Sequence, residues 1–277
     1  MNVFLFMSVL SFSFASAYPL TLQEGPFDSG KIYLPCRFDL VDDLCFLDTG
    51  STESIIANQK SFASTPTVGK IKYKSAANIS MEIDQIVVKQ IALGPMSVGP
   101  IKVGRVENPD ASSVLGINFF ATFPFSLNFS ETPELKLFPD SSVLLKSELT
   151  VLEKNLLAVP VSVNHFKTLS LVDTGAGLSV MNIELVQNNS ENFEFIQDIP
   201  HGVDATGSEV SLKLYKAKLI KIENLEFENE YVLGMNFDVV HTYVSQNIQF
   251  IIGFNLIKKA NWHFDLQKKK WTVSSSK

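Results

Sequence analysis

The stretch Leu47-Asp48-Thr49-Gly50 recurs as Val172-Asp173-Thr174-Gly175, 125 residues further on (173 − 48). One Asp-Thr-Gly says little. Two copies, each closing an apolar run (Leu44-Cys45-Phe46-Leu47 and Leu169-Ser170-Leu171-Val172), raise the question of whether their surroundings also repeat. They do. Pro35 and Pro160 each stand 13 residues before their aspartate (48 − 35 and 173 − 160). Downstream, Val114-Leu115-Gly116-Ile117-Asn118 matches Ile251-Ile252-Gly253-Phe254-Asn255, and aromatic-rich stretches follow at 125–129 and 262–266. The aspartate-to-glycine interval is 68 residues in the first copy (116 − 48) and 80 in the second (253 − 173). A fixed order of features over a variable surface length is how a structural unit present twice behaves.

The chain has 277 residues, 45% hydrophobic and only 19% charged, enough apolar material for one large or two small cores. Its 22 phenylalanines and many Val and Ile residues favour strands. The net charge of −6, with no basic stripe, argues against nucleic-acid binding. Four histidines without ligand spacing to a cysteine argue against a metal site. Residues 3–14 are apolar and Ala15-Ser16-Ala17 fits a small-x-small cleavage site, so 1–17 reads as an export signal despite lacking a positive start. That run is shorter than the roughly 20 residues a bilayer span needs, and no other stretch is long enough, so the mature chain is expected to be exported with no membrane span. Cys36 and Cys45 flank a hairpin turn near Asp39-Leu40; they either pair as a disulfide or pack as two small buried side chains on adjacent strands.

Residues 31–38 and 44–48 read as a strand hairpin, and 54–57 as a further strand. Residues 70–74 and 79–83 alternate polar and apolar around a small-residue tip, and 203–210 hold the counterpart in the second half. Turns are expected at Gly94-Pro95, Gly99-Pro100 and Glu228-Asn229, and short helices at 118–121 and 255–259. Residues 234–247 are expected to hold most of the second half's extra length. The fold class is therefore all-β: two similar lobes with few helices.

At a strand end, Gly lets the backbone turn sharply while Asp projects its carboxylate and Thr offers a short hydroxyl to tie down a loop. Two such turns about a pseudo-twofold axis bring Asp48 and Asp173 into contact. Carboxylates that close share one proton, so one acts as general base while the other acts as general acid.

On these residues the chain resembles a single-chain aspartic peptidase of the pepsin and retropepsin superfamily, similar to bacterial members that carry Asp-Thr-Gly twice. The likeness covers about 31–137 and 157–273. It implies two pseudo-twofold-related retropepsin-like β-barrel lobes with the active site between them, the first at 18–140 and the second at 157–277, joined by a connector at 141–156. It implies Asp48 and Asp173 as the catalytic pair, supported by Thr49, Gly50, Ser51, Thr174, Gly175 and Ala176, with the Ser51 hydroxyl reaching a catalytic carboxylate. It implies flaps at Ser75, Ala76 and Ala77 and at Asp204, Ala205, Thr206 and Gly207, closing over an extended polypeptide substrate. No cofactor or metal is implied, and a monomer suffices because one chain supplies both halves. Asn118 and Asn255 depart from the Asp or Arg of many relatives. A catalytically silent peptide-binding protein on the same fold is the alternative.

Overall fold

The computed structural model describes residues 16–57, 60–74, 80–108, 111–139, 144–203 and 209–276. The apolar stretch at 3–14 lies outside them. Strands β1 (Ser16–Pro19) and β2 (Thr21–Glu24) lead through a 3-10 turn at Pro26–Asp28 into β3 (Gly30–Phe38), which returns as β4 (Val41–Asp48). Along β3, buried Ile32, Leu34, Cys36 and Phe38 alternate with exposed Lys31, Pro35 and Arg37, the period of a strand with one face in a core. There follow β5 (Ile55–Ala57), β6 (Gly69–Lys74), β7 (Ser80–Val88), β8 (Ile91–Leu93), β9 (Met96–Val98), β10 (Ile101–Val106) and β11 (Val114–Gly116). Helix α1 (Ile117–Phe120), β12 (Phe125–Asn128) and β13 (Glu134–Leu137) close the first lobe.

The second lobe runs through the same plan. Strands β14 (Ser147–Glu148) and β15 (Thr150–Val151) precede a 3-10 turn at Glu153–Asn155, then β16 (Leu157–Val163) and β17 (Phe166–Val172). Next come β18 (Ser179–Asn182), α2 (Ile183–Asn188), β19 (Phe193–Val203), β20 (Glu209–Ile222) and β21 (Leu225–Met235). Helix α3 (Asp238–Tyr243), β22 (Ile248–Ile252), α4 (Phe254–Ile257), β23 (Ala260–Asp265) and β24 (Lys270–Ser275) complete the chain. The pairings correspond too. β11 lies parallel to β4 as β22 does to β17, and β10 lies parallel to β5 as β21 does to β18.

Three sheets result: a path through β3–β11 with β2 paired to β3, a second of β15–β22, and a six-stranded sheet in the order β1-β13-β12-β23-β24-β14. The last takes three strands from each lobe. Its central seam pairs Phe125 with Phe264 and Leu127 with Trp262, over a buried stack of Trp262, Phe264 and Trp271. The two prolines 13 residues before each aspartate fall at matching places. Pro35 lies between the stretches of β3 that pair with β2 and with β8, and Pro160 lies between the stretches of β16 that pair with β15 and with β20. A residue without an N–H fits such a gap in the ladder.

Several expectations shift. Residues 147–151, expected to be plain connector, carry β14 and β15. Ser16 and Ala17, expected to end the leader, pair with Leu137 and Lys136, and Tyr18 and Pro19 continue that pairing. The turn expected at Glu228-Asn229 lies at Glu223-Asn224, where Ile222 opposes Leu225; Asn229 has a positive φ of 56° but sits within β21. The second lobe's extra length is divided. Part is in 236–247, which holds α3, and part is in the longer β19–β20 hairpin.

Cys36 and Cys45 form a disulfide across the β3–β4 hairpin, with Cα atoms 5.8 Å apart. The bond closes a loop of sequence separation 9. Loop-closure entropy for a ring this small predicts that the Cys36→Ala, Cys45→Ala double variant loses about 2–3 kcal/mol of unfolding free energy. Urea titration followed by tryptophan fluorescence measures this, and unchanged stability contradicts it.

Candidate active site

Each Asp-Thr-Gly sits where a central strand, β4 or β17, leaves its sheet and turns. The buried Thr49 and Thr174 join the two turns. Thr49 N–H donates to Thr174 Oγ1 at 2.9 Å, and Thr174 N–H donates to Thr49 Oγ1 at 3.1 Å. Each hydroxyl then crosses to the opposite lobe: Thr49 Oγ1 donates to the Val172 carbonyl at 2.7 Å and Thr174 Oγ1 to the Leu47 carbonyl at 2.8 Å. Four bonds thus clamp the turns reciprocally.

The clamp sets the half-buried Asp48 and Asp173 side by side. Asp48 Oδ1 accepts the Gly50 and Ser51 N–H groups, both at 2.9 Å. Asp173 Oδ1 accepts those of Gly175 at 2.8 Å and Ala176 at 3.2 Å. The glycines are required by the approach of the opposite carboxyl. A Cβ at Gly50 would stand 2.5 Å from the Asp173 carboxyl carbon, and one at Gly175 would stand 2.4 Å from that of Asp48.

Burial raises both carboxyls above the ordinary range, and the negative charge of Asp173 pushes Asp48 up further. At Asp173 several groups oppose that rise. The N–H groups of Gly175, Ala176 and Gly50 and the Asp48 side chain all stabilise its charged form. Such a pair titrates as a unit carrying one proton.

The Ser51 hydroxyl does not reach a carboxylate. Its Oγ donates to the Glu53 carbonyl at 2.8 Å, and its backbone N–H takes the role expected of the hydroxyl. The tight turn points the amide inward, as at Ala176, which has no hydroxyl. The flap residues Ser75, Ala76 and Ala77, and Asp204, Ala205, Thr206 and Gly207, lie outside the described residues. The strands that lead to them pair as hairpins, with Lys74 opposite Ser80 and Val203 opposite Glu209.

Two further residues belong to the arrangement. Ser54 and Ser179 each stand six residues after their aspartate (54 − 48 and 179 − 173). Ser54 N–H and Oγ donate to Asn118 Oδ1 at 2.9 and 2.8 Å, while Oγ accepts the Gly116 N–H at 3.0 Å. The second lobe repeats this. Ser179 N–H and Oγ donate to Asn255 Oδ1 at 2.8 and 2.9 Å, and Oγ accepts the Gly253 N–H at 3.0 Å. Both asparagines therefore brace the loop after the aspartate against the glycine strand. The matched spacing of the serines was the signal in the sequence, easily passed over because serine is common.

No protein-family model and no curated protein sequence matches the chain. Solved structures do. The aspartic proteinase from Irpex lacteus superposes with a TM-score of 0.57 at 14% identity, covering 95% of this chain and 97% of that one. Basic 7S globulin from soybean superposes with a TM-score of 0.54 at 10% identity, covering 95% of each. The fold is pepsin-like. At these identities the likeness concerns the fold alone, and the fold is shared by a protein named a proteinase and one named a globulin, so the activity has to be argued from the site.

Replacing Ser54 or Ser179 by alanine leaves a buried glycine N–H without its acceptor. Each variant is expected to lose about 1–3 kcal/mol of stability, the usual cost of an orphaned buried donor. Urea unfolding checks the value.

Proposed function

We propose that this chain is an aspartic endopeptidase that hydrolyses extended polypeptides with the Asp48/Asp173 pair. The observation that carries this reading is two carboxyl groups, each raised by burial, held against one another by a reciprocal threonine clamp. An ion pair or a capping role asks for carboxylates apart from one another. A shared proton asks for this arrangement.

In the reaction, the ionised member of the Asp48/Asp173 pair takes a proton from a water held between the carboxyls, and that water attacks the scissile carbonyl. The neutral member hydrogen-bonds the carbonyl oxygen and protonates it as the tetrahedral intermediate forms. As the C–N bond breaks, the carboxyl that took the water's proton gives it to the leaving amine, the other recovers its proton from a hydroxyl of the intermediate, and the pair returns to its starting state. The backbone N–H groups of both turns hold the carboxyls flat without moving during the reaction, which is the preorganisation that acid–base catalysis needs. An extended substrate pairs its backbone with strands of the β6–β7 and β19–β20 hairpins. The two halves are retropepsin-like units in one chain, so the enzyme works as a monomer, and activity per molecule stays constant on dilution through the nanomolar range. The apolar start and the disulfide support export to an oxidising compartment. Among the described residues no helix is long and apolar enough to cross a membrane.

Asp48→Asn and Asp173→Asn are each expected to abolish cleavage of denatured casein. Retained cleavage in either folded variant overturns the shared-pair mechanism. The same variants carry a stability signature. A carboxyl raised in the folded state favours folding below its unfolded pKa, and that contribution is lost as pH rises from the ordinary carboxylate range through the raised folded value. Asp48→Asn should therefore be more stable than wild type at neutral pH, with the advantage shrinking on acidification, as thermal melts across pH would show. A silent peptide-binding protein would share that melt signature and cleave nothing.

The rate should follow a bell-shaped pH profile, since the active form holds one proton on two carboxyls. Ser51→Ala keeps the backbone N–H to Asp48, so the acidic limb of kcat/KM should stay in place. A flat profile from about pH 3 to pH 9 rules out the dyad.

A further inference from the structure

The pseudo-twofold that makes the two aspartates equivalent fails five residues further on. Glu53 and Leu178 are related by the same interval of 125 residues (178 − 53). Their backbones occupy matching places: a Cβ on Gly116 would meet the Glu53 carbonyl oxygen at 2.6 Å, and a Cβ on Gly253 would meet that of Leu178 at 2.5 Å. Both thus border a catalytic turn, one in each lobe. One is a half-buried carboxylate and the other a buried leucine.

Their neighbours differ in the same sense. Glu53 Oε2 accepts a bond from Gln85 Nε2 at 2.7 Å. Gln85 opposes Gly104, which pairs with Ile55. In the second lobe Leu214 opposes Leu233, which pairs with Val180, the counterpart of Ile55 (55 + 125). The register thus places the buried Leu214 where the first lobe has Gln85. A polar, anionic pair on one side of the dyad corresponds to an apolar pair on the other.

Nothing described neutralises the anion. Among the described residues no ion pair forms to Glu53. Three cations of the strands beside it pair with other carboxylates, Lys70 and Arg105 with Asp84 and Lys72 with Glu82. Gln85 supplies one N–H and orients the carboxylate without changing its charge.

We propose that Glu53 is a specificity-determining residue: the cleft selects a polypeptide with lysine or arginine on the first-lobe side of the scissile bond and an apolar residue at the symmetry-related position on the other side. An extended peptide across a pseudo-twofold site presents residues at equal distances on either side of the cut to equivalent wall positions. Equivalent walls of opposite character therefore read opposite ends of the sequence, which fixes the direction of the substrate. The proposal rests on the endopeptidase reading for the placement of the peptide, but the charge preference is testable without turnover.

The experiment profiles cleavage of a synthetic peptide library by wild type, Glu53→Gln and Leu178→Glu, with far-UV circular dichroism to establish folding. Wild type should prefer a basic residue at one position only. Glu53→Gln should lower kcat/KM for basic peptides by about tenfold and leave neutral peptides within about twofold, as expected for loss of one complementary charge. Leu178→Glu should create a second basic preference at the symmetry-related position. In parallel, binding of the same peptides to Asp48→Asn and to Asp48→Asn/Glu53→Gln is measured by fluorescence anisotropy, where only the first should discriminate basic from neutral. Equal treatment of basic and neutral peptides by wild type, or the same basic preference in Glu53→Gln, overturns the proposal. Charge-selective binding by a wild type that cleaves nothing removes the peptidase reading and leaves the role of Glu53 standing.

Discussion

The structure depends on a hydrogen-bond exchange between two threonines. Thr49 and Thr174 each give a backbone N–H to the other's hydroxyl and a hydroxyl to a carbonyl of the other lobe. Every donor and acceptor in the exchange is buried and matched, and a buried hydroxyl left unpaired is costly. The exchange works only if the lobes meet in one orientation to within a few tenths of an ångström. It therefore fixes the relation of two barrels. The carboxyl pair follows from that constraint, since each aspartate is the residue next to its threonine.

The serine–asparagine braces extend the same logic outward. The strand that leads to the aspartate has as its parallel neighbour the strand that leads to Gly116 or Gly253, and the brace ties the loop after the aspartate to that neighbour. The turn amides bond the carboxyls, and the serine that follows each turn is itself bonded to an asparagine and a glycine N–H. This gives a rigid site on loops, which ordinarily move more than the elements they join. The carboxyls are raised by the burial that this packing enforces.

Much of this was legible in the sequence because it is written there twice. The doubled Asp-Thr-Gly, the prolines and the glycine strands identified the lobes, and alternation placed β3, β4, β6 and β7 within a few residues. What was not legible has physical causes. The short strands β14 and β15 span two residues each, too few for a period to register, and exist because β24 and β16 offer them edges. The turn at Glu223-Asn224 carries no glycine or proline, whereas Asn229 resembles a turn residue and sits within a strand. The Ser51 hydroxyl was misplaced because a sequence does not say whether an amide or a hydroxyl will face a carboxylate. The fall of symmetry at Glu53 and Leu178 was visible as letters, but its meaning depended on knowing which strands lie beside each residue.

The six-stranded sheet has a consequence for how the chain comes into being. Its seam joins β12, near the end of the first lobe, to β23, so Phe125 must wait for Phe264. While the chain is made from its N-terminus, the first lobe emerges with β12 hydrogen-bonded to β13 on one flank and bare on the other. That flank offers open backbone groups beside aromatic side chains, the kind of edge that pairs with any available strand. Contacts so distant along the chain form late and slowly. Biogenesis thus carries a vulnerable interval, from the appearance of one half until the other closes over it, during which a second nascent copy or a chaperone competes for the same edge.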